Sequence, residues 1–162
     1  MNDTLNQQQD NILGGQLYTT PFNVDLFEVK SEDYFTAYTK MVLTLPESIR
    51  SILMDSSTAE FIEENLGPSF GLNKESKIEI TRIIRDILLG DVSLNSMPSL
   101  ISSKLNTDQN TSVQIANKIV NDLFGPAIED IKKLQAPKIS EKPDLKIDPS
   151  INRNNIVDLR NK

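Results

Sequence analysis

Two stretches of the chain place apolar residues three or four positions apart, which is the spacing of one face of an α-helix. Residues 74–90 read KESKIEITRIIRDILLG, and residues 109–125 read QNTSVQIANKIVNDLFG. When the second stretch is laid over the first, Ile84 falls on Ile119 and Gly90 falls on Gly125. The spacing predicts two amphipathic helices that bury these isoleucines, with Gly90 as a left-handed helix end.

The pair Leu-Asn precedes each stretch, at residues 72–73 and 105–106. One interpretation is a duplicated helix–turn–helix unit, so that the fold contains two related helical hairpins. The other is that any two capped amphipathic helices look alike when they are aligned in phase. The sequence alone leaves both open.

Signals of helix starts and ends divide the rest of the central region. Ser31, followed by two acids, predicts a helix whose buried face carries Phe35, Tyr38, Met41 and Val42. Pro46 predicts a second helix start, with Ile49, Ile52, Leu53 and Met54 as the apolar positions.

Later signals predict the remaining helices. Ser57 and Glu60 have the spacing of a capping box, and the helix that they open should stop at Gly67-Pro68. Residues 96–105 predict a short helix, and residues 125–126 should interrupt the last helix before it resumes at residues 128–134. We therefore predict an all-α bundle of five to seven short helices.

The composition removes several classes of chemistry. The chain has 162 residues and contains no cysteine, histidine or tryptophan. Disulfides, thiolate metal sites and histidine bases are therefore excluded, and we predict no cofactor, no metal site and no enzymatic activity. No apolar run reaches the ~18–20 residues of a membrane span, and residues 1–11 do not resemble a secretory signal. A cytoplasmic location is expected.

Charge and composition divide the chain into three parts. Residues 1–30 predict a flexible or extended N-terminal arm, in which residues 17–30 form an edge strand or, as we favour, an extended arm on the body. Residues 31–134 form the predicted bundle, and residues 135–162 a flexible tail rich in proline and charge. The net charge is −6, and the acidic body disfavours nucleic acid as a partner.

One apolar cluster stands out in the tail. Its residues, here called the tail motif, are Ile156, Val157, Asp158, Leu159 and Arg160. We predict that this motif docks on a partner, with the three apolar side chains as anchors and the arginine facing a carboxylate. The triplet Val-Asp-Leu also occurs at residues 24–26. The alternative is a tail whose apolar residues bind nothing.

Other polar clusters have simpler interpretations. Glu60, Glu63 and Glu64 would need converging oxygens to hold a metal ion, so a solvated face is expected. Lys132-Lys133 suit a helix C-terminus whether or not they bind anything. Ser102 or Ser103 with Lys104 would need a buried lysine to act as a catalytic dyad, and we reject that interpretation because nothing in the sequence predicts the burial.

The chain also resembles a small helical domain of reduced-genome bacteria of the candidate-phyla type. The matching residues are Leu88, Leu89, Gly90, Ala116, Phe124, Pro126 and residues 157–160, within a likeness that covers residues 43–134 and the tail. The resemblance implies a helical fold and no particular activity.

These observations favour a non-catalytic interaction module or adaptor. It would bind another protein, or another copy of itself, through a helical groove, the tail motif or both. Two alternatives stay open, a ribosome- or RNA-associated accessory factor that uses the basic tail, and an enzyme that works with carboxylates alone.

Overall fold

A computed structural model describes residues 19–26 and 31–137 of the chain. Within these residues the fold is a small bundle of seven helices without a β-strand, which confirms the predicted all-α class. The helices are α1 (Glu32–Leu43), α2 (Glu47–Met54), α3 (the consecutive segments Ser56–Glu60, Phe61–Leu66 and Gly67–Phe70), α4 (Lys74–Leu89), α5 (Met97–Leu105), α6 (Gln109–Asp122) and α7 (Ile128–Gln135). Short 3₁₀ turns, Leu94–Ser96 and Gly125–Ala127, precede α5 and α7.

The core lies where α5 packs on α4 and on α6 and where α2 packs on α4 and α7. Ile84 and Ile119 are both completely buried, as their positions on the two predicted faces required. Phe124 is also completely buried and is the largest such side chain. One continuous cluster joins these residues to the buried faces of α1, α2 and α3.

The predicted start of α3 is wrong. Asp55, one residue before the helix, is its N-cap, and the Asp55 carboxylate accepts a hydrogen bond of 2.8 Å from the Ser57 backbone N–H. Ser57 lies inside the helix, so the capping box with Glu60 does not form. The start of α1 at Ser31 is confirmed, since its hydroxyl accepts a hydrogen bond from the Tyr34 backbone N–H.

The predicted end of α3 at Gly67-Pro68 is also wrong. The helix passes through both residues and ends at Gly71, which has a left-handed φ of 61°. A proline in a regular α-helix clashes with the carbonyl group four residues earlier. In α3 the turn before Pro68, Phe61–Leu66, is a wider π-helix. We attribute the continuation of the helix to the room that this wider turn leaves for the ring.

The two Leu-Asn corners differ in structure. Asn73 has extended backbone and caps the start of α4, where its side chain accepts a hydrogen bond of 2.8 Å from the Ser76 N–H. Asn106 has a left-handed φ of 52° and ends α5, and Asp108 caps the start of α6 instead. The buried faces of the two long helices therefore correspond, whereas the corners before them do not.

The glycines that end the two sequence stretches should also respond differently to substitution. Gly90 has φ 81°, and a Cβ atom there would lie 3.3 Å from Leu134. We expect Gly90→Ala to destabilise the fold by about 1–2 kcal/mol, the usual cost of a left-handed non-glycine residue. Gly125 does not have a positive φ, and a Cβ atom there meets no other atom within 4 Å. Gly125→Ala is therefore the matched control, and thermal unfolding measures both; equal losses at the two positions would contradict this difference.

Candidate protein-binding cleft

Residues 19–26, here called the arm segment, precede α1 in the chain and pack against the bundle. Their backbone forms consecutive turns, with Asn23 N–H bonded to Thr20 O (3.1 Å) and Leu26 N–H bonded to Asn23 O (3.0 Å). The arm segment is thus neither a strand nor extended. The contact with the body was predicted correctly, but the extended backbone was not.

Backbone and aromatic contacts hold the arm segment against α1 and α2. The Phe22 N–H donates a hydrogen bond of 2.9 Å to the Leu53 carbonyl at the end of α2. The Tyr38 hydroxyl donates to the Phe22 carbonyl at 3.2 Å, and the two rings stack with centroids 5.2 Å apart. Burial raises the pKa of Tyr38 to about 12.

An ion-pair cluster holds the arm segment against α4. Asp25 accepts a hydrogen bond of 2.8 Å from Arg82 Nε, and its other carboxylate oxygen contacts Arg85. The two arginines are three positions apart and therefore share one face of the helix. Partial burial raises the pKa of Asp25, but the hydrogen bonds from Arg82 and Arg85 outweigh that effect and leave the pKa below its usual value.

Acid should release this contact. A carboxyl group whose pKa is lower in the folded state than in the unfolded state stabilises the fold. This stabilisation is complete at a pH above the unfolded-state pKa of about 3.9, and it is lost as the pH falls through the folded-state pKa. We expect the Tyr38 ring signals in NMR spectra to stay constant from neutral pH to about pH 5 and to shift below about pH 4. In the Asp25→Asn variant the Tyr38 signals should already be shifted at neutral pH, because the contact of the Asp25 carboxylate is absent. The same acid response in both proteins would show that another group holds the arm segment.

A cleft of about 240 Å³ opens beside the arm segment. Its apolar lining comes from the arm segment, from α1 and from the end of α4, and comprises Phe22, Leu26, Tyr34, Tyr38, Met41 and Leu89. Tyr34 is 54% exposed and Met41 is 39% exposed. Large apolar side chains that stay open to solvent beside a concave surface are typical of binding sites for proteins or ligands.

This exposure corrects the predicted face of α1. Of the four residues assigned to the core, Tyr38 and Val42 are buried, whereas Phe35 is 47% exposed and Met41 is partly exposed. The apolar stripe of α1 is wider than the strip that the bundle covers. Similarly, the first three apolar residues predicted for α2 are buried but Met54 is 48% exposed.

The charged lining of the cleft is mainly acidic. It contains the carboxylates of Asp25, Asp86 and Asp91 and the single guanidinium group of Arg85. Arg85 is shared between Asp25 and Asp86, and its Nε lies 2.9 Å from the Asp86 carboxylate. Among the described residues, Asp91 has no salt-bridge partner. The cleft therefore offers negative charge next to its apolar wall.

A second, more open depression lies between the end of α1 and α2. Leu43 and Met54 are its exposed apolar residues, and Glu47, Arg50, Ser51 and Asp55 form the rest of the lining. It contains fewer apolar groups than the cleft beside the arm segment. We therefore regard the first cleft as the better candidate site.

The tail motif, Ile156 to Arg160, lies outside the described residues, as do residues 1–18, so neither prediction is tested. The other candidates are surface groups. Glu60 and Glu64 are exposed, and Glu63 forms a salt bridge with Lys77. Lys104 is exposed, in agreement with the rejection of a serine–lysine dyad. Lys132 and Lys133 pair with acids of the first turn of α7.

Comparison of the chain with protein-family models, with curated proteins and with solved structures found no match. The resemblance to a domain of reduced-genome bacteria stays a prediction. None of the helices in residues 31–137 has the length and apolar character needed to cross a bilayer. Within the described part of the chain, no three acidic side chains converge in a way that could hold a metal ion.

Proposed function

We propose that the protein is a non-catalytic interaction module, which binds a segment of a partner protein in the cleft beside the arm segment. The partner segment would carry apolar residues and at least one lysine or arginine. The observation that carries this proposal is the combination of exposed Tyr34 and Met41 with an acidic cleft lining. On the sequence grounds given above, we also propose a cytoplasmic location.

Apolar burial would supply most of the affinity. Each Å² of apolar surface removed from water contributes roughly 25 cal/mol, and complete burial of a methionine side chain contributes about 1.5–3 kcal/mol. The wall formed by Tyr34, Met41 and Leu89 is contributed by two helices, α1 and α4. An amphipathic helix or a short extended segment binds to such a preformed surface without ordering the receptor.

Electrostatics would select the partner. The lining contains three carboxylates and one guanidinium group, so a basic side chain beside the apolar anchors meets complementary charge. Asp91 is the best-placed acid for that contact, because Asp25 and Asp86 already bind Arg85. An acidic partner segment would be repelled.

The same geometry gives less support to catalysis. A carboxyl group that acts as a general acid near neutral pH needs a raised pKa. In the cleft, the pKa of Asp25 is lowered instead, since two arginines bind it. A role in holding the arm segment accounts for this carboxylate better than acid–base chemistry does.

Selection of random peptides on the immobilised full-length protein tests the proposal. We expect the enriched peptides to share two or more apolar residues and a lysine or arginine. They should lose binding when Met41, which lines the cleft, is replaced. Failure to enrich any sequence, or enrichment of acidic peptides, would contradict the proposed function. Tight RNA binding that weakens steeply with salt would favour the accessory-factor alternative.

A further inference from the structure

Asp25, which contacts α4, is the central residue of the triplet Val24-Asp25-Leu26. The same triplet occurs in the tail motif as Val157-Asp158-Leu159. We propose that residues 156–159 of the same chain are a second ligand for the site that residues 23–26 occupy on α4. The two segments would exchange, with Asp158 taking the place of Asp25 between Arg82 and Arg85. This inference does not require a partner protein and so stands independently of the proposed function.

The chemistry of the site explains why this triplet fits. Arg82 and Arg85 present two guanidinium groups to one carboxylate, and each of them also contacts an acid of its own helix, Glu79 or Asp86. The central aspartate completes this cluster. Val24 and Leu26 on either side are half-buried, and Leu26 packs against the core. A ligand of this site therefore needs a carboxylate that is followed by an aliphatic residue able to pack against the core.

The residues before the triplet differ between the two segments, and the differences have opposite effects. Ile156 corresponds to Asn23, whose side-chain oxygen is buried without a hydrogen-bond partner among the described residues. An isoleucine there would remove that unfavourable burial of a polar atom. Asn155 corresponds to Phe22, so the tail would lose the ring stacked on Tyr38.

The arm segment therefore has an advantage over the tail in the resting protein. It has the stacked Phe22 ring, and the Tyr38 hydroxyl donates to the Phe22 carbonyl. The tail should occupy the site when the arm segment is weakened or drawn away. Because Phe22, Asp25 and Leu26 also line the cleft, such an exchange would change the surface offered to a partner.

The chain is long enough for the exchange to occur within one molecule. About 20 residues separate Pro137, the last described residue, from Ile156, and an extended chain of that length spans at most about 70 Å. A bundle of about 100 residues has a radius of gyration of only about 13 Å. Tethering at this distance gives an effective concentration near the millimolar range, so even a weak contact would be populated.

The absence of native cysteine allows a direct test. A nitroxide spin label is attached to the Asn161→Cys variant of the full chain, and the amide NMR signals of α4 are recorded. We expect the signals of Arg82 and Arg85 to be broadened several-fold more with Asp25→Asn than with the native arm. Adding Asp158→Asn should remove the extra broadening. Phe22→Ser weakens the arm segment without removing Asp25 and provides a second background if Asp25→Asn does not fold.

Three outcomes would overturn the proposal. The first is that neither arm variant increases the broadening at α4. The second is that the increase persists with Asp158→Asn, which would show contact without the proposed carboxylate. A mixed sample shows whether the bound tail comes from the same chain or from a second copy. It contains chains at natural isotope abundance that carry the spin label and ¹⁵N-labelled chains that do not. Broadening in this mixture equal to that in the single-chain sample would assign the site to a second copy and contradict the intramolecular exchange.

Discussion

Ile84→Ala and Ile119→Ala should each lower the free energy of unfolding by about 2–5 kcal/mol, the range observed for truncation of buried aliphatic residues. Both side chains have no exposed surface, and they lie in the cluster where α4 and α6 meet the rest of the bundle. Removal of three carbon atoms from either position loses apolar burial and leaves a cavity. The free energy of unfolding of a domain is typically only about 5–15 kcal/mol, so each loss should be readily measurable by chemical denaturation.

Val113→Ala is the matched control for this prediction. Val113 lies on α6 like Ile119 but is 36% exposed, so its truncation should change stability by less than about 1 kcal/mol. Denaturation by urea, followed by circular dichroism, measures all three variants. Similar losses for the buried and exposed positions would show that the helices are oriented differently from the structure described above.

The second large effect concerns the cleft. Met41→Lys removes an apolar group from the cleft wall and adds a positive charge where we expect the partner to place its own. Loss of about 1.4 kcal/mol corresponds to a tenfold weaker complex. Burial of the 39% of Met41 that is exposed accounts for roughly 0.6–1.2 kcal/mol of this, and repulsion between the new lysine and the partner's basic residue adds to it. We therefore expect at least a tenfold rise in the Kd of a selected peptide. The fold should persist, because Met41 is already 39% exposed.

The core was predictable because its signals are local. The apolar spacing of α4 and α6 identifies their buried faces, and Gly90 ends α4 as a left-handed cap. These features depend on residues within a few positions of one another, so they can be recognised in the sequence without knowledge of the tertiary structure. The break at Gly125-Pro126 and the resumption at Ile128 follow from the same local rules.

The errors arose where tertiary structure or backbone geometry overrides local pattern. The sequence of α1 shows a wide apolar stripe, but it does not show that the bundle covers only the side of the stripe that carries Tyr38 and Val42. The π-helical turn that carries α3 through Pro68 has no clear sequence signature. The identical Leu-Asn pairs adopt different conformations, because Asn73 begins a helix and Asn106 ends one.

The candidate site was the hardest part to predict. Asp25 meets Arg82 and Arg85 across 57 and 60 positions of sequence, and no local rule connects residues so far apart. The Val-Asp-Leu triplet that contains Asp25 does not indicate which arginines the aspartate would bind. The cleft itself depends on the position of the arm segment, which contributes Phe22, Asp25 and Leu26 to its lining.

The most direct test of the proposed function is the affinity of one selected peptide for three full-length proteins. Isothermal titration would compare the native chain with its Met41→Lys and Val113→Lys variants, whose altered residues are similarly exposed at 39% and 36%. We predict that the Kd rises at least about tenfold for Met41→Lys and stays within about twofold for Val113→Lys. Equal affinity for all three proteins would contradict binding in the cleft, and so would a loss that is the same for both variants.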